Sequence, residues 1–524
     1  MSETRHRVKR MDKLLITLIL FALSLAGCDL PPGIVELLQN PTPIAIEALP
    51  THVAPAPADT AWDDRSPFRR GLIKAEQGVL DDLVGASVYH IDLQIPRDFQ
   101  AVQGEQQVLY TNREDAPLDA VYFRLFPNTA GGALTLSSLQ VGGQDAEIIY
   151  EFENSALRVP MAPALPPGEA IEIEMRFTVD IPREMGGNYG LFGYFDDILV
   201  LDEAYPVIPV YDDEGWNVET PPPNADVSYV DAGFYLVRVT APAKLTIVST
   251  GSEIGREYPA DSDLQVVTIA AGPIRDFYLA ASDRFTLVSK KVGETTINSY
   301  AASDSMEHAK LALDVAGNAM KSFSARLGPY PYTEFDIVSS PMQALGMEYS
   351  GMTAIALSLF DPEKTAGGLP TSVQIEAATA HEVGHQWFYD VVTSDQIDEP
   401  WLDEAVVQYL TGLYYEDTYG DEAAKSFISS WYSRWDRVNR ADVPIGLPAG
   451  DYEGSQYGAV VYGRGPIFIA KLAETMGQEA FDEFLRDYYQ TNKWGIGTGD
   501  EFKQLAEEHC ACDLTPLFEE WVYE

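Results

Sequence analysis

The chain has 524 residues, of which 46% are hydrophobic and 11% aromatic, so it is globular and long enough for two or three domains. Its 35 basic and 80 acidic residues give a net charge of −45 at pH 7, which argues against nucleic-acid binding because phosphate contacts need a basic surface. Only three cysteines are present, so the fold does not depend on a disulfide framework.

Residues 1–28 have the pattern of a lipoprotein signal peptide. A basic stretch precedes an apolar run from Leu14 to Leu25, which is too short to span a bilayer comfortably and suits a cleaved secretory signal. The segment ends in Leu-Ala-Gly-Cys, which resembles a bacterial lipobox and implies cleavage before Cys28 and lipid attachment to it. Several acyl chains hold a protein firmly on a membrane, so we expect an extracytoplasmic, membrane-anchored lipoprotein at the cell surface or in the periplasm of a bacterium. A plain signal peptide or an uncleaved anchor is the alternative.

The next two segments connect this signal to the main body. Residues 29–60 are rich in Pro and Ala and lack sustained periodicity, which predicts a semi-extended tether that holds the rest of the chain off the membrane. Residues 61–85 are expected to form a short helical lead-in.

Residues 86–290 have the pattern of an all-β domain. Apolar and polar positions alternate in short segments rich in β-branched and aromatic residues, and Pro- and Gly-rich stretches separate them. Examples are SVYHIDLQI, AIEIEMRFTVDI and GFYLVRVTA. This pattern predicts a twisted saddle or sandwich.

The hydrophobic period becomes helical after residue 290, which predicts a mostly helical domain over residues 291–524. A long helix is expected to end at Gly328, followed by a buried strand at FDIVSS. Pro370, Thr371 and Gln374 predict a capping-box start for the next helix. Another helix is predicted over PWLDEAVVQYLTGLYYEDTYG, ending near Gly420.

Residues 379–390 carry an HExxH pattern within the stretch TAHEVGHQWFYD. Residues four apart lie on one face of a helix, so His381 and His385 can both direct an imidazole nitrogen at one ion. Glu382 lies about 100° around the helix, where it can reach a water on that ion without being a ligand. The arrangement suits zinc hydrolysis, in which the metal acidifies water and the glutamate accepts its proton. An ordinary amphipathic helix that happens to contain the pattern is the alternative.

Glu404 is the candidate third metal ligand. Zinc hydrolases need another protein ligand and an open position for water, and Glu404 follows His385 after eighteen intervening residues. A helix end, a loop and a new helix start fit this interval, so the carboxylate can return to the histidine face. The pattern predicts one zinc ion per chain, with a solvated helix carboxylate as the alternative for Glu404.

This region resembles the zinc aminopeptidases of the aminopeptidase N and leukotriene hydrolase type. The resemblance rests on the HExxH, the eighteen-residue interval, HQW starting at His385 and PWLDE starting at Pro400. It covers most of residues 86–524 and implies an N-terminal all-β domain followed by a thermolysin-like, mostly helical metallopeptidase domain. It also implies hydrolysis of peptides with a free N-terminus, with His381, His385 and Glu404 as zinc ligands and Glu382 as general base.

The resemblance implies two further site residues. The run from Leu345 to Tyr349 stands where the family has Gly-Ala-Met-Glu-Asn, and Glu348 would pair with the α-ammonium group of the substrate. A carboxylate at a fixed distance from the metal leaves space for one residue, as an exopeptidase requires. Tyr462 stands in register with the tyrosine of the family's Tyr-x-Lys-Gly stretch and would donate a hydrogen bond to the oxyanion. Tyr457 is the nearest alternative.

Departures from the family pattern leave alternatives open. Leu345 and Tyr349 replace residues that contact the substrate backbone in the family. Asp403 and Ala405 flank Glu404 where the family has Asn and Gly, which affects how the ligands are oriented. The chain ends where larger relatives continue into a helical domain, so a more open cleft is expected. A zinc endopeptidase or an epoxide hydrolase on the same scaffold, and a non-catalytic surface binding protein, are the alternative functions.

Cys510 and Cys512 stand next to His509 in the stretch HCAC. A metal site is one reading, but these ligands are too close in sequence for the usual zinc spacing. We expect the two cysteines to be packed or to form a local strained bridge.

Overall fold

The computed structural model describes residues 53–186, 188–220, 222 and 228–523. The predicted signal peptide, Cys28 and most of the predicted tether therefore lie outside the described residues. Within the described ranges, no helix is both long enough and apolar enough to cross a bilayer.

Residues 61–85 form short helical turns that bind to the C-terminal half of the chain. The turns are Phe68–Gly71, Lys74–Glu76 and Val79–Asp82. The amide of Ile73 donates to the carbonyl of Pro331 at 2.9 Å, and Lys493 forms an ion pair with Glu76 at 2.6 Å. The lead-in of residues 61–85 is thus attached to the C-terminal half of the chain by a backbone hydrogen bond and an ion pair.

The N-terminal half is built from strands, as their alternating pattern predicts. In chain order they are β1 (Val88–Gln94), β2 (Ala101–Thr111), β3 (Leu118–Arg124), β4 (Ala133–Val141), β5 (Gln144–Asp145), β6 (Ile149–Glu151), β7 (Ala156–Leu165), β8 (Ala170–Asp180), β9 (Phe192–Phe195), β10 (Ile198–Asp202), β11 (Tyr211–Asp212), β12 (Gly215–Trp216), β13 (Gly233–Pro242), β14 (Thr246–Ser249), β15 (Ser252–Glu257), β16 (Leu264–Ile274) and β17 (Tyr278–Ser282).

Eight of these strands form one large sheet in the order β15-β16-β13-β1-β2-β8-β4-β5. The side chains of β2 alternate between buried and more exposed positions, because one face of the sheet packs on the core and the other meets solvent. The core is closed by a four-stranded sheet, β14-β17-β10-β9, and a three-stranded sheet, β3-β7-β6. A two-stranded pair, β11-β12, completes the region.

The C-terminal half combines a five-stranded sheet with helices. Its strands are β18 (Phe285–Val292), β19 (Thr295–Ala302), β20 (Glu334–Ser340), β21 (Gly346–Tyr349), β22 (Met352–Ala356), β23 (Thr365–Ala366) and β24 (Leu369–Pro370). Its longer helices are α1 (Met306–Arg326), α2 (Thr371–Gly384), α3 (Pro400–Tyr419), α4 (Asp421–Trp435), α5 (Gly465–Met476), α6 (Gln478–Thr491) and α7 (Gly499–Cys510). The predicted order of an all-β region followed by a mostly helical one is confirmed.

The sheet of the C-terminal half has the order β18-β19-β20-β22-β21. The predicted domain division at residues 290 and 291 falls inside β18, and the partners of β18 in this sheet belong to the later domain. Strand β21 is the edge strand and pairs antiparallel with β22, which places Glu348 opposite Thr353. The edge that carries Glu348 therefore borders the helices rather than another strand.

Two local expectations can be compared with the structure. The predicted capping box of α2 is wrong: Pro370 occupies the N-cap position without a side-chain cap, and the hydroxyl of Thr371 donates to the carbonyl of Asp361 at 2.7 Å. Cys510 and Cys512 form a disulfide, as the expectation of a local bridge allows. The bond places both sulfur atoms in a covalent bridge, so the structure gives no support to a metal site at HCAC.

Arg275 joins the two halves of the chain. It follows β16 directly and is 1% exposed. Its guanidinium donates to four backbone carbonyls: those of Asp390 and Gly495 at 2.8 Å, Val230 at 3.2 Å and Val391 at 3.3 Å. Burial lowers the pKa of Arg275, but a guanidinium stays charged in a protein. Charge-assisted bonds to several loops make this side chain a fixed point between the domains.

Three acidic residues are buried together at this interface. The carboxylate of Asp202 accepts a hydrogen bond from the hydroxyl of Tyr349 at 3.3 Å, and Asp276 accepts one from the hydroxyl of Tyr389. Burial raises the pKa of Glu203 to about 7 and that of Asp276 to about 6. The pKa of Asp202 also lies well above its ordinary value, because burial and the neighbouring charge of Glu203 both raise it.

This cluster predicts a pH dependence of stability. A carboxyl group whose pKa is raised on folding stabilises the fold fully below its unfolded pKa, about 4, and this contribution is lost as the pH rises through its folded pKa. With a folded pKa of about 7 for Glu203, we expect Glu203→Gln to raise the melting temperature at pH 8 and to change it little at pH 5. Thermal unfolding at constant ionic strength measures both values.

The matched control is Glu474→Gln, which removes an exposed carboxylate of α5. We expect this variant to keep the wild-type dependence of melting temperature on pH. An equal slope for wild type and Glu203→Gln would contradict the prediction.

Candidate active site

The last turn of α2 presents the two histidines of the HExxH pattern. The helix ends at Gly384, with His385 as its C-cap, so the two imidazoles stand one turn apart on the same side. His381 is 8% exposed and His385 is fully buried. Their rings lie 4.7 Å apart and nearly perpendicular.

Glycine in α2 allows α3 to approach this pair of histidines. A Cβ atom on Gly384 would lie 2.8 Å from a methyl group of Val407, which is closer than carbon atoms pack. Val407 follows Glu404 by one helical turn, so the same close packing brings the Glu404 carboxylate to the histidines. The helix crossing therefore depends on a small residue inside the HExxH stretch.

Three ligand atoms converge on one point. His381 Nε2 lies 3.1 Å from His385 Nε2 and 3.0 Å from Glu404 Oε2. His385 Nε2 lies 3.6 Å from the same carboxylate oxygen. Ligands about 2.0–2.1 Å from a tetrahedral zinc ion are roughly 3.3 Å from one another. The three side chains thus have the types and separations that a zinc ion requires.

Asp403 fixes the orientation of His385. Its Oδ1 accepts a hydrogen bond from His385 Nδ1 at 2.7 Å, which leaves the Nε2 lone pair for a metal. Its Oδ2 accepts a hydrogen bond from the side-chain amide of Gln396 at 2.8 Å. The departure from the family's Asn at this position therefore keeps an acceptor for the histidine.

The electrostatics of the site favour a bound cation. Burial lowers the pKa of His385, but the charges of Asp403 and Glu348 outweigh burial, and the pKa lies well above its ordinary value. Burial raises the pKa of Glu404, yet hydrogen bonds from both histidines hold it below its ordinary range. Burial also lowers the pKa of His381. The surrounding carboxylates thus attract positive charge, and a metal ion competes with protons for it.

Glu382 lines the same cleft as His381 and Glu404. It is 4% exposed, and its side chain lies so close to Gly346 that a Cβ atom there would collide with it. The edge strand β21 thus passes directly over the carboxylate at a residue without a side chain.

Tyr462 lies in a single π-helical turn, Val460–Arg464. Its hydroxyl donates a hydrogen bond to Oε1 of Glu404, and its ring lies 6.1 Å from that of His381. Tyr457 lines the cleft as well, with its ring 6.0 Å from that of Tyr462. Contact with a ligand carboxylate supports Tyr462 over Tyr457, and the assignment stays a prediction.

Glu348 is 5% exposed and lies in β21. The side-chain amide of Gln396 contacts its Oε1 at 3.4 Å, and this same amide donates to Asp403. Glu348 is therefore connected to the His385 side of the ligand cluster. Gln396 belongs to this network although its sequence context does not single it out.

The cleft has a volume of about 430 Å³ and is open to solvent. Glu348, Glu382, His381, Glu404 and Tyr462 all line it, so the residues that sequence analysis selected meet in one place. Residues without a predicted role also line it, including Tyr189, Leu345, Gln374, Phe427, Arg434 and Arg437. Leu345 is 45% exposed and stands at the mouth.

Both halves of the chain are similar to known proteins. Residues 311–521 match the model of the peptidase family M1 domain. Aminopeptidase 2 of Candida albicans is 21% identical over 460 residues, which cover 80% of this chain and 48% of that protein. Endoplasmic reticulum aminopeptidase 1 of Homo sapiens is 29% identical over 271 residues, which cover 47% of this chain and 28% of that protein. The chain thus spans about half the length of these relatives, or less.

The fold is similar to that of a solved M1 zinc metallopeptidase from Deinococcus radiodurans. A mutant of that protein bound to a Tyr-Ser-Ala substrate matches with a TM-score of 0.60 and 18% identity, over 87% of this chain and 95% of the other. A likeness at this level of identity establishes the fold. Residues 311–521 are therefore a peptidase family M1 domain, within a chain that has the fold of the M1 zinc metallopeptidases.

Proposed function

We propose that the protein is a zinc-dependent aminopeptidase that removes N-terminal residues from peptides. The observation that carries the proposal is the convergence of His381, His385 and Glu404, whose ligand atoms are separated by 3.0 to 3.6 Å. These three side chains would hold one zinc ion per chain. Such an ion, when bound, makes water acidic and polarises a carbonyl group.

Two residues of the chain would serve the attack on the peptide bond. Glu382 accepts the proton of the attacking water and passes it to the leaving amine, a role that suits a buried carboxylate beside the ligands. Tyr462 donates a hydrogen bond to the carbonyl oxygen as negative charge develops on it.

Glu348 would define where cleavage occurs. A buried carboxylate that lines the cleft can pair with the α-ammonium group of a peptide, and a fixed separation from the ligand cluster would leave space for one residue. Strand β21 lies at the edge of its sheet and borders the cleft, so an extended peptide can align along it. The related protein from Deinococcus radiodurans binds a tripeptide substrate, and we propose short or unblocked peptides as substrates here.

We further propose that the protein is a lipoprotein anchored through Cys28. The proposal rests on the basic, apolar and Leu-Ala-Gly-Cys segments of residues 1–28. The enzyme would then act on peptides outside the cytoplasm, at a membrane surface.

The role of Glu382 predicts the effect of its substitution. Glu382→Gln keeps the size of the side chain but cannot accept a proton, so we expect kcat for aminoacyl arylamides to fall by about 100-fold or more, with zinc binding retained. Steady-state kinetics and zinc content measure the two properties. Glu376→Gln is the control, since Glu376 lies on the same helix and bonds to Tyr414 instead. Wild-type rates in Glu382→Gln would refute the assignment of the base.

The role of Glu348 predicts a requirement for a free amine. N-acetylation of a peptide substrate should abolish cleavage, and Glu348→Ala should lower kcat/KM for the free peptide by roughly 10- to 100-fold, the worth of a charge-assisted bond. Mass spectrometry of the products identifies the bond that is cut. Internal cleavage of acetylated peptides at wild-type rates would instead assign the protein as an endopeptidase.

The hydrogen bond between Asp403 and His385 predicts an effect on zinc affinity. Asp403→Ala removes the acceptor for Nδ1, so we expect zinc to bind about 10- to 100-fold more weakly. Asp403→Asn keeps an acceptor oxygen and should bind zinc close to the wild-type affinity. Competition with a chromophoric chelator measures both. Equal affinity for zinc in wild type and Asp403→Ala would show that this bond does not orient the ligand.

A further inference from the structure

Two arginines line the cleft of a strongly acidic chain. Arg434 and Arg437 share the cleft with Glu348, Glu382 and Glu404, whereas the whole chain has 80 acidic and 35 basic residues. The zinc ligands, the base and the amine-binding site account for the acidic groups. They do not account for two guanidinium groups on the same cleft wall.

The arginines extend a face of α4 that borders the cleft. Phe427 and Arg434 are seven residues apart, so they lie on one side of the helix about 10 Å from each other. Arg437 follows in the turn Asp436–Val438. The wall thus changes along its length from an aromatic side chain to two positive charges.

Arg434 lies on the Tyr462 side of the metal ligands. Its Nη1 donates to the carbonyl of Tyr462 at 3.2 Å, and its guanidinium carbon lies 5.9 Å from the centre of the Tyr462 ring. Glu348 is connected instead to His385, through Gln396 and Asp403. A peptide whose amine meets Glu348 would extend past the ligand cluster toward Tyr462 and the arginines.

The positive charge of this pair is not neutralised by a salt bridge within the described residues. Two other arginines in the same part of the chain do have acidic partners: Arg440 pairs with Asp436 at 2.6 Å, and Arg464 pairs with Asp442 at 2.5 Å. Burial lowers the pKa of Arg434, and the charge of Arg437 lowers it as well, whereas Tyr462 and the charge of Glu404 raise it. The two guanidiniums therefore lie close enough to repel each other. An anion bound between them would relieve this repulsion.

We propose that Arg434 and Arg437 bind a carboxylate of the substrate on the leaving-group side of the scissile bond. A carboxylate fits because guanidinium groups form paired hydrogen bonds with its two oxygens. The inference rests on the aminopeptidase function proposed above and narrows its substrate class. The carboxylate belongs either to the C-terminus of a short peptide or to an acidic side chain that follows the cleaved residue.

The test compares substrates that differ only in this carboxylate. The N-terminal residue, Xaa, is the amino acid that the enzyme cleaves fastest from a panel of aminoacyl p-nitroanilides. The three peptides compared are Xaa-Gly-Gly, Xaa-Gly-Gly-amide and Xaa-Glu-Gly-amide. We expect wild type to prefer Xaa-Gly-Gly over its amide by about tenfold or more in kcat/KM, mainly through KM. A preference for Xaa-Glu-Gly-amide over Xaa-Gly-Gly-amide would identify an acidic side chain as the ligand.

The variants Arg437→Gln and Arg434→Gln should each reduce these preferences at least severalfold. Arg437 is exposed, so its substitution does not threaten the fold. Arg440→Gln is the matched control, because this neighbouring arginine does not line the cleft, and it should keep the wild-type ratio of free acid to amide.

If wild type cleaves Xaa-Gly-Gly, Xaa-Glu-Gly-amide and Xaa-Gly-Gly-amide with equal kcat/KM, the proposed carboxylate site is wrong. Cleavage of the p-nitroanilide in that case would leave the aminopeptidase function standing. Absence of cleavage of the p-nitroanilide and of every peptide by zinc-loaded enzyme would overturn both proposals.

Discussion

The main physical constraint on the cleft is that it contains several buried, negatively charged side chains. Glu348, Glu382, Asp403 and Glu404 are each no more than 5% exposed. Taking carboxylates out of water costs several kcal/mol each unless positive charge or hydrogen bonds compensate, and the elevated pKa of His385 records this demand. The start of α3 offsets part of this cost, because Asp403 lies in the first turn of the helix, where the helix dipole favours anions. A divalent cation bound by His381, His385 and Glu404 would compensate the rest, and metal binding would then be coupled to the stability of this region.

To compensate the buried carboxylates, the helices that carry the ligand side chains must pack closely, and the two halves of the chain must keep fixed positions. Gly384 admits Val407 against α2, and this contact sets the position of Glu404. Arg275 holds the carbonyls of Asp390 and Val391, in the loop that follows the second histidine. The β domain therefore stabilises the metal ligands from a distance through a side chain that contacts none of them.

Some parts of this arrangement can be predicted from the sequence because they depend on residues that lie close together in the chain. The four-residue spacing of His381 and His385 defines one helix face, and strands with alternating polarity such as β2 define a half-buried sheet. The capping box failed because Pro370 took the N-cap position, which made Thr371 the first helical residue instead.

Other parts depend on contacts between residues far apart in the chain, which no local pattern encodes. Arg275 reaches Val391, 116 residues later, and Gln396 reaches Glu348, 48 residues earlier. The contact between Tyr462 and Glu404 joins residues 58 apart in the chain. Spacing in the sequence cannot reveal this contact, so it cannot decide between Tyr462 and Tyr457. From sequence alone, Arg434 at the end of α4 and Arg437 in the following turn resemble ordinary solvated arginines, because their place beside the cleft depends on how α4 packs.

The π-helical turn at Val460–Arg464 has a mechanical consequence. Tyr462, within it, meets Glu404, while Arg464, at its end, donates to the backbone carbonyls of Glu520 and Trp521. Tyr462 and residues 519–523 are thus connected through one short helical turn. A displacement of residues 519–523 would therefore act on Arg464 and, through this turn, on the contact between Tyr462 and Glu404.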